Sequence, residues 1–179
     1  CDRRQRQMCI RDRTITNVFC FVVFGLCVVF ALLMGCKPGA YWNLLKDPAH
    51  GVDFSKKYGK AAMLMNVGLY GLFIVLYYNL IGATFNGITF GCIFCMLACC
   101  NSGSNPKTVW PIMVGYVAAS YLMGWLSGVA GGTFAQAINA QAIVVGLCFA
   151  NGLSPITGKY GWPFGILAGM LHFCLVTSV

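Results

Sequence analysis

Apolar residues in this chain fall into long runs separated by short polar breaks, and the two-residue alternation that marks barrel strands does not appear. A helix that crosses a bilayer needs about 20 mostly apolar residues, because the hydrocarbon layer is roughly 30 Å thick and each helical residue rises about 1.5 Å. Val18 to Gly35 meets that length, and Lys37-Pro38-Gly39 ends it. Pro38 to Lys60 is polar and reads as a solvated loop with a short interfacial helix around Tyr41-Trp42. Ala61 to about Gly82 is a second span, with Tyr77 and Tyr78 where an aromatic interfacial belt belongs.

The third run, Phe85 to Cys100, is shorter. It opens on Asn86-Gly87-Ile88-Thr89 and gives way to Asn101-Ser102-Gly103-Ser104-Asn105-Pro106, so it is either a short span or a re-entrant half-helix. Val109 to Ala130 is a fourth run, with Trp110-Pro111 placing a proline in its first turn. Thr133 to Ala150 reads as a fifth helix, unusual in carrying Gln136, Asn139 and Gln141, until Asn151-Gly152-Leu153-Ser154-Pro155 breaks it. Trp162 to Val179 is the sixth, with Pro163 near its start. Lipid offers no partner to free backbone N–H and C=O groups, so runs of this length are helices. The pattern predicts an all-α fold, a polytopic transmembrane helical bundle of about six apolar segments.

Composition agrees. The chain is 59% hydrophobic and 9% charged, with a mean hydropathy of +0.75, against a charged fraction of about 25% in soluble domains. After residue 13 the charges are Lys37, Lys46, Asp47, Asp53, Lys56, Lys57, Lys60, Lys107 and Lys159, and the chain has no Glu. A net charge of +8 raises the question of a nucleic-acid partner. These lysines sit in connecting loops and form no basic face, so none is expected. If all six runs cross, the loop at 37–60, Lys107 and Lys159 share one side, and the connections near residues 84 and 131 are uncharged. The positive-inside rule then makes the lysine side cytoplasmic, in a multi-pass protein of the cell membrane. A re-entrant third segment would separate Lys107 from the 37–60 loop.

The arginines Arg3, Arg4, Arg6, Arg11 and Arg13 all fall in residues 1–13. Met8-Cys9-Ile10-Arg11-Asp12-Arg13 resembles translated sequencing-adapter sequence, the transposon end used in library preparation. Arginines directly before the first span would also oppose the charge rule. Residues 1–13 are therefore expected to be a non-native N-terminal artefact; the competing reading is an ordinary basic N-terminus. Residues 14–179 then form a single membrane domain with a basic loop at 37–60. Since Val179 stops inside an apolar segment, a fragment of a longer protein is expected.

The candidate chemistry is sparse. The chain lacks a Walker phosphate loop, a Ser/His/Asp set at plausible spacing and paired membrane carboxylates, so neither an enzyme nor a cofactor is expected. Of its 11 cysteines, Cys20, Cys27, Cys92, Cys95, Cys99, Cys100, Cys148 and Cys174 lie in apolar runs and read as small packing residues. Cys92, Cys95, Cys99 and Cys100 can bring thiols onto one helical face, but no second CxxC or histidine pair supports a metal. His172 lies in an apolar span, where an imidazole either serves function or hydrogen-bonds a neighbouring helix. His50 reads as solvated. Gln136, Asn139, Gln141, Asn86, Thr89 and Asn66, with Asn79, can line a route for a neutral solute or tie helices together. Gly124, Gly128 and Gly132 form a small-residue row suited to helix packing.

Gly87 to Ile93 echoes Gly161 to Leu167, a faint internal repeat of the kind found in duplicated transporters. The stretches Ala61-Ala62-Met63-Leu64-Met65-Asn66-Val67-Gly68-Leu69-Tyr70-Gly71, Phe85 to Gly91 and Gly161 to His172 resemble an uncharacterised bacterial polytopic membrane family, domain of unknown function 1576 (DUF1576). The resemblance covers most of residues 14–179 and implies longer membrane relatives without an assigned activity. The functional expectation is a channel or facilitator-like transporter of a small neutral or zwitterionic solute. Its partners would be the lipid bilayer, that solute, and either a second copy or the missing part of the chain. The alternative is a non-transporting membrane scaffold or complex subunit. A path predicts that the amides and His172 converge on one cavity; a scaffold predicts that each is paired in a dry interface.

Overall fold

Each long apolar run becomes helical in the computed structural model, which describes residues 3–48, 53–132 and 135–178, with side chains from Thr14 onward. His50, read as solvated, lies outside the described residues. The first helix, α1 (Arg3–Leu33), carries its apolar part over Thr14–Leu33. Two short helices follow, α2 (Pro38–Lys46), where the interfacial helix was expected, and α3 (Phe54–Tyr58). Then come α4 (Lys60–Leu80), α5 (Gly87–Ala98), α6 (Pro106–Ala130), α7 (Gln141–Ala150), α8 (Ser154–Tyr160) and α9 (Trp162–Thr177). No strand occurs among the described residues.

Thr14–Leu33, Lys60–Leu80, Pro106–Ala130 and Gln141–Tyr160 are long and apolar enough to cross a membrane, with Gly87–Ser102 and Trp162–Thr177 as shorter apolar pieces. The distribution of side chains follows suit. Asn66 and Asn151 are 0% and 1% exposed, whereas Leu33, Val129 and Leu175 are 76%, 69% and 66% exposed. Amides inside and large aliphatic groups outside is the arrangement lipid requires and water opposes.

Contacts fix the directions of the helices. Asn17 and Asn79 exchange amide hydrogen bonds of 2.8 and 3.0 Å, and further along Phe24 and Val28 fill the spaces over Gly71 and Gly68, so α1 and α4 are antiparallel. α5 starts at the end marked by Asn17 and Asn79, where Asn86 donates to Gln141 at 2.7 Å. In its closing 3₁₀ turn, Asn101 accepts from the Ser55 N–H at 3.4 Å. The third segment therefore runs from the end marked by Asn17 and Asn79 toward the loop that holds Ser55. Pro48 abuts Gly158, and Lys46 and Lys107 border one cleft with Gly161 and Trp162. Three lysine-bearing loops thus share one end, here the lysine end; the opposite one is the amide end.

α6 and α9 run parallel, with Trp110 stacked on Trp162 and Pro111 beside Gly165. Their backbones approach so closely that a Cβ on Gly115 would lie 2.3 Å from the Ile166 carbonyl oxygen, and one on Gly169 would lie 2.4 Å from that of Ile112. Close approach here comes from Gly115, Gly165 and Gly169. The row Gly124, Gly128 and Gly132 does not perform it: open space surrounds Gly124 and Gly128 within this chain, and Gly132 lies past the end of α6.

Two helix boundaries differ from the sequence pattern. Asn105 caps α6 in a reciprocal capping box with Thr108, and Pro106 rather than Pro111 occupies the first turn. Pro111 is an interior proline. The expected helix from Thr133 begins only at Gln141, and residues 135–140 are non-helical. In that segment the Gln136 carbonyl accepts from Ser120 at 2.7 Å, and the Asn139 amide meets the Gly82 carbonyl at 3.5 Å. The bond to the Gln136 carbonyl takes the place of a helical one, and the Asn139 side chain anchors the segment to the turn after α4.

Candidate functional site

One span-length segment is interrupted, where α7 reaches α8 through a 3₁₀ turn at Asn151–Leu153, and the shorter α5 ends beside it in a 3₁₀ turn at Cys99–Ser102. Breaks inside a span free backbone groups that need new partners. Here uncharged side chains gather at both turns.

Tyr70, the midpoint of α4, donates to the Asn151 side-chain oxygen at 2.7 Å, and the Asn151 amide donates to the Met96 carbonyl at 3.1 Å. One residue thereby ties the α7 break to α4 and to the last turn of α5. Asn66, one turn before Tyr70, donates to the Ser104 carbonyl at 2.9 Å, and the Ser104 and Ser154 hydroxyls lie 3.1 Å apart. Asn105 and Thr108 complete the seam through the α6 capping box. All are buried: Tyr70, Asn66 and Asn105 are 0% exposed, and Ser104 and Ser154 are each 3% exposed.

The seam is not fully paired. Asn66 Oδ1, Asn105 Nδ2 and Thr157 Oγ1 are buried without a hydrogen-bond partner. An acceptor, a donor and a hydroxyl are thus desolvated and idle, at a cost of roughly 1–3 kcal/mol each. Native interiors keep few such atoms, and those kept commonly serve a strained or functional site.

The residues singled out in the sequence separate into three places. Asn86, Thr89, Asn139 and Gln141 meet at the amide end, where Asn86 caps α5 by accepting from the Thr89 N–H at 2.9 Å and donates to Gln141 at 2.7 Å. Thr89 also donates to the Thr84 carbonyl at 2.6 Å, and Asn86 lines a groove of about 570 Å³ between α1 and α5 with Thr16, Phe19 and Phe90. Gln136 is exposed in the segment before α7, linked to α6 through its carbonyl. His172 stands apart on α9, with its Nδ1 2.5 Å from the Tyr116 hydroxyl. Asn66 alone of the set belongs to the buried seam. Gln136, Asn139 and His172 line none of the three clefts described for this chain, and Gln136 and His172 bond to Ser120 and Tyr116, one turn apart on α6.

Ser104, Asn105, Asn151 and Ser154 escaped the sequence reading because they are turn-forming residues in polar breaks, and such breaks read as surface connections. The usable signal was position: Asn151 falls midway along Gln141–Tyr160, a stretch long enough to be one span.

A second feature unread in the sequence lies at the lysine end. Lys57-Tyr58-Gly59 and Lys159-Tyr160-Gly161 each close a short helix and open a long one, with the glycines at φ 87° and 94°. Each lysine stands over its tyrosine ring, at 5.3 and 5.4 Å from the centroid. Between them Lys57 reaches the buried Asp47 carboxylate at 2.6 Å, and Tyr58 donates to it at 2.7 Å. That hydrogen bond from Lys57 to Asp47 raises the lysine pKa. Asp53, the N-cap of α3, has its pKa lowered chiefly by the Ser55 hydroxyl.

The described residues gather no group of three or more His, Cys, Asp or Glu side chains able to hold a metal ion. Uncharged amides and hydroxyls, the groups gathered in the seam, can exchange hydrogen bonds with a polar molecule.

The family model described as "Protein of unknown function (DUF1576)" matches residues 38–179. The chain belongs to this family. The DUF1576 match begins at Pro38, the first residue of α2, so the buried seam and the interrupted span lie within it and α1 precedes it. No match is found among curated proteins or solved structures.

Proposed function

We propose that this DUF1576 chain is part of a facilitator-like transport protein for a small neutral or zwitterionic solute, and not an enzyme. The observation that carries the reading is the interrupted span Gln141–Tyr160 meeting the 3₁₀ end of α5 at an uncharged buried seam with Asn66 Oδ1 and Asn105 Nδ2 unpartnered. Interrupted helices at mid-membrane are the device by which many transporters expose backbone and side-chain polar groups to a solute. The seam offers both donors and acceptors without fixed charge, and a neutral or zwitterionic solute can use both kinds through the amides and serines. The lysine end is assigned to the cytoplasm by the charge rule, in the cell membrane.

A non-transporting scaffold is the second reading, favoured by the helix-to-helix pairs of Asn17 with Asn79, the Asn86 amide with the Gln141 oxygen, and His172 with Tyr116, although Gln141 Nε2 and Ser127 Oγ stay unpartnered. Solute uptake into proteoliposomes holding the full-length protein separates the two. Transport predicts uptake of at least one uncharged solute from a panel of polyols, amides and zwitterionic amino acids. Asn66→Leu, which removes the unpartnered Oδ1, and Asn151→Leu, which releases Tyr70 and the Met96 carbonyl and so misplaces the seam, should each lower it at least about tenfold, the worth of one or two hydrogen bonds, with Gln136→Leu, Asn139→Leu and His172→Phe changing it less. Absence of uptake across the panel, or wild-type rates in both seam variants that remain folded, supports the scaffold.

A further inference from the structure

At the lysine end, α2, α6, α8 and the start of α9 enclose a cleft of about 280 Å³ lined by Lys46, Lys107, Trp110, Thr157 and Trp162. An apolar groove of about 440 Å³, lined by Tyr41, Trp42, Phe73 and Pro106, adjoins it and shares Leu45, Lys46, Lys107 and Trp110. The two form one depression, charged at the end of the bundle and apolar along its flank. The acidic residue in the cleft, Asp47, is already engaged by Lys57 and Tyr58. Lys46 and Lys107 have no carboxylate partner among the described residues, and Lys46 instead stands 5.6 Å over the Trp42 ring. Trp42 and Trp162 are 59% and 58% exposed, and tryptophan in that state marks the headgroup level of a bilayer.

We propose that this depression holds one anionic phospholipid, its phosphate between Lys46 and Lys107 and one acyl chain along the groove of Leu45, Phe73 and Trp110. Charge selects the headgroup: a zwitterionic lipid brings the same phosphate but adds a cationic group beside two ammonium groups that lack a carboxylate partner among the described residues, and an anionic lipid does not. Shape selects lipid over free phosphate, because the apolar half of the depression has no use for a bare anion. The indoles at Trp110 and Trp162, stacked at 6.5 Å, form the wall at which the headgroup and the chain part. The bound lipid bridges α2 to α6 and α9, and so braces the loops that precede two crossing helices.

The test uses the full-length protein in nanodiscs of mixed phosphatidylglycerol and phosphatidylcholine, with retained lipid counted by native mass spectrometry. Wild type should keep phosphatidylglycerol over phosphatidylcholine, and Lys46→Gln with Lys107→Gln should lower that preference roughly 25-fold, about fivefold per lysine near a membrane surface. The double Arg variant should keep it, as should the control Lys37→Gln with Lys56→Gln, whose lysines lie outside the cleft. An unchanged preference in the double Gln variant, or a control that loses as much, overturns the site. Displacement of the retained lipid by millimolar inorganic phosphate also overturns it, since the site would then be one for a free anion.

Discussion

Glycine decides how closely this molecule packs, and it does so at particular positions. Gly115 and Gly169 bring the α6 and α9 backbones together, with backbone oxygen atoms on both sides of the contact. A carbonyl cannot rotate away as a flexible side chain can, so a larger residue forces the helices apart. Gly169→Val should destabilise the protein by about 1–3 kcal/mol, the usual cost of overpacking. Gly124→Val, facing open space in this chain, should change stability by less than about 0.5 kcal/mol. Unfolding in mixed micelles followed by denaturant titration checks the pair; equal effects would remove the packing assignment. Both glycines belong to rows of small residues in the sequence. Periodicity finds such rows, but only the partner helix says which one is used.

Among the elements, polar breaks carried more meaning than the sequence let them show. The spans around Thr14–Leu33, Lys60–Leu80 and Trp162–Thr177 were legible because length and hydropathy suffice for a lipid-facing helix. The start of α7 was not legible, since the Gln136 carbonyl takes its hydrogen bond from Ser120 on α6 and the Asn139 side chain holds the Gly82 carbonyl, contacts remote in sequence. Asn105 is the clearest case of a residue with two meanings. It reads as part of a loop, yet it caps a membrane-length helix from a fully buried position. Asn105→Ala removes the cap and should cost about 1–2 kcal/mol, measured by the same titration. Asn105→Asp retains an acceptor for the Thr108 N–H but buries a charge, and should do worse than Asn105→Ser.

For the whole molecule, the order of ends follows from charge, while the site does not. Alternating crossings place Lys46, Lys107 and Lys159 together, as the sequence pattern required, and the contact of Pro48 with Gly158 makes the same arrangement in space. The functional region was legible only in kind. Uncharged polar residues were the expected chemistry, and Asn66 was among them, but the amides at Asn86 and Gln141 pair with each other and His172 pairs with Tyr116. The seam at Asn66, Tyr70, Ser104, Asn151 and Ser154 depends on the break at Asn151–Leu153 meeting the connection between α5 and α6, and a single sequence holds no record of that meeting.

Accessibility of the seam tests the transport account most directly, because it needs no knowledge of the solute. In full-length protein with its native cysteines replaced by alanine, Ser154→Cys is exposed to a small membrane-impermeant thiol reagent in sealed vesicles of each orientation, with Ser55→Cys as the reference for the lysine end. The account predicts that Ser55→Cys reacts only from the cytoplasmic face and that Ser154→Cys, though 3% exposed at Ser154 in this conformation, reacts at a measurable rate as the seam opens. Ser154→Cys that stays unlabelled from both faces while Ser55→Cys reacts fully would mean a permanently dry seam, and would contradict it.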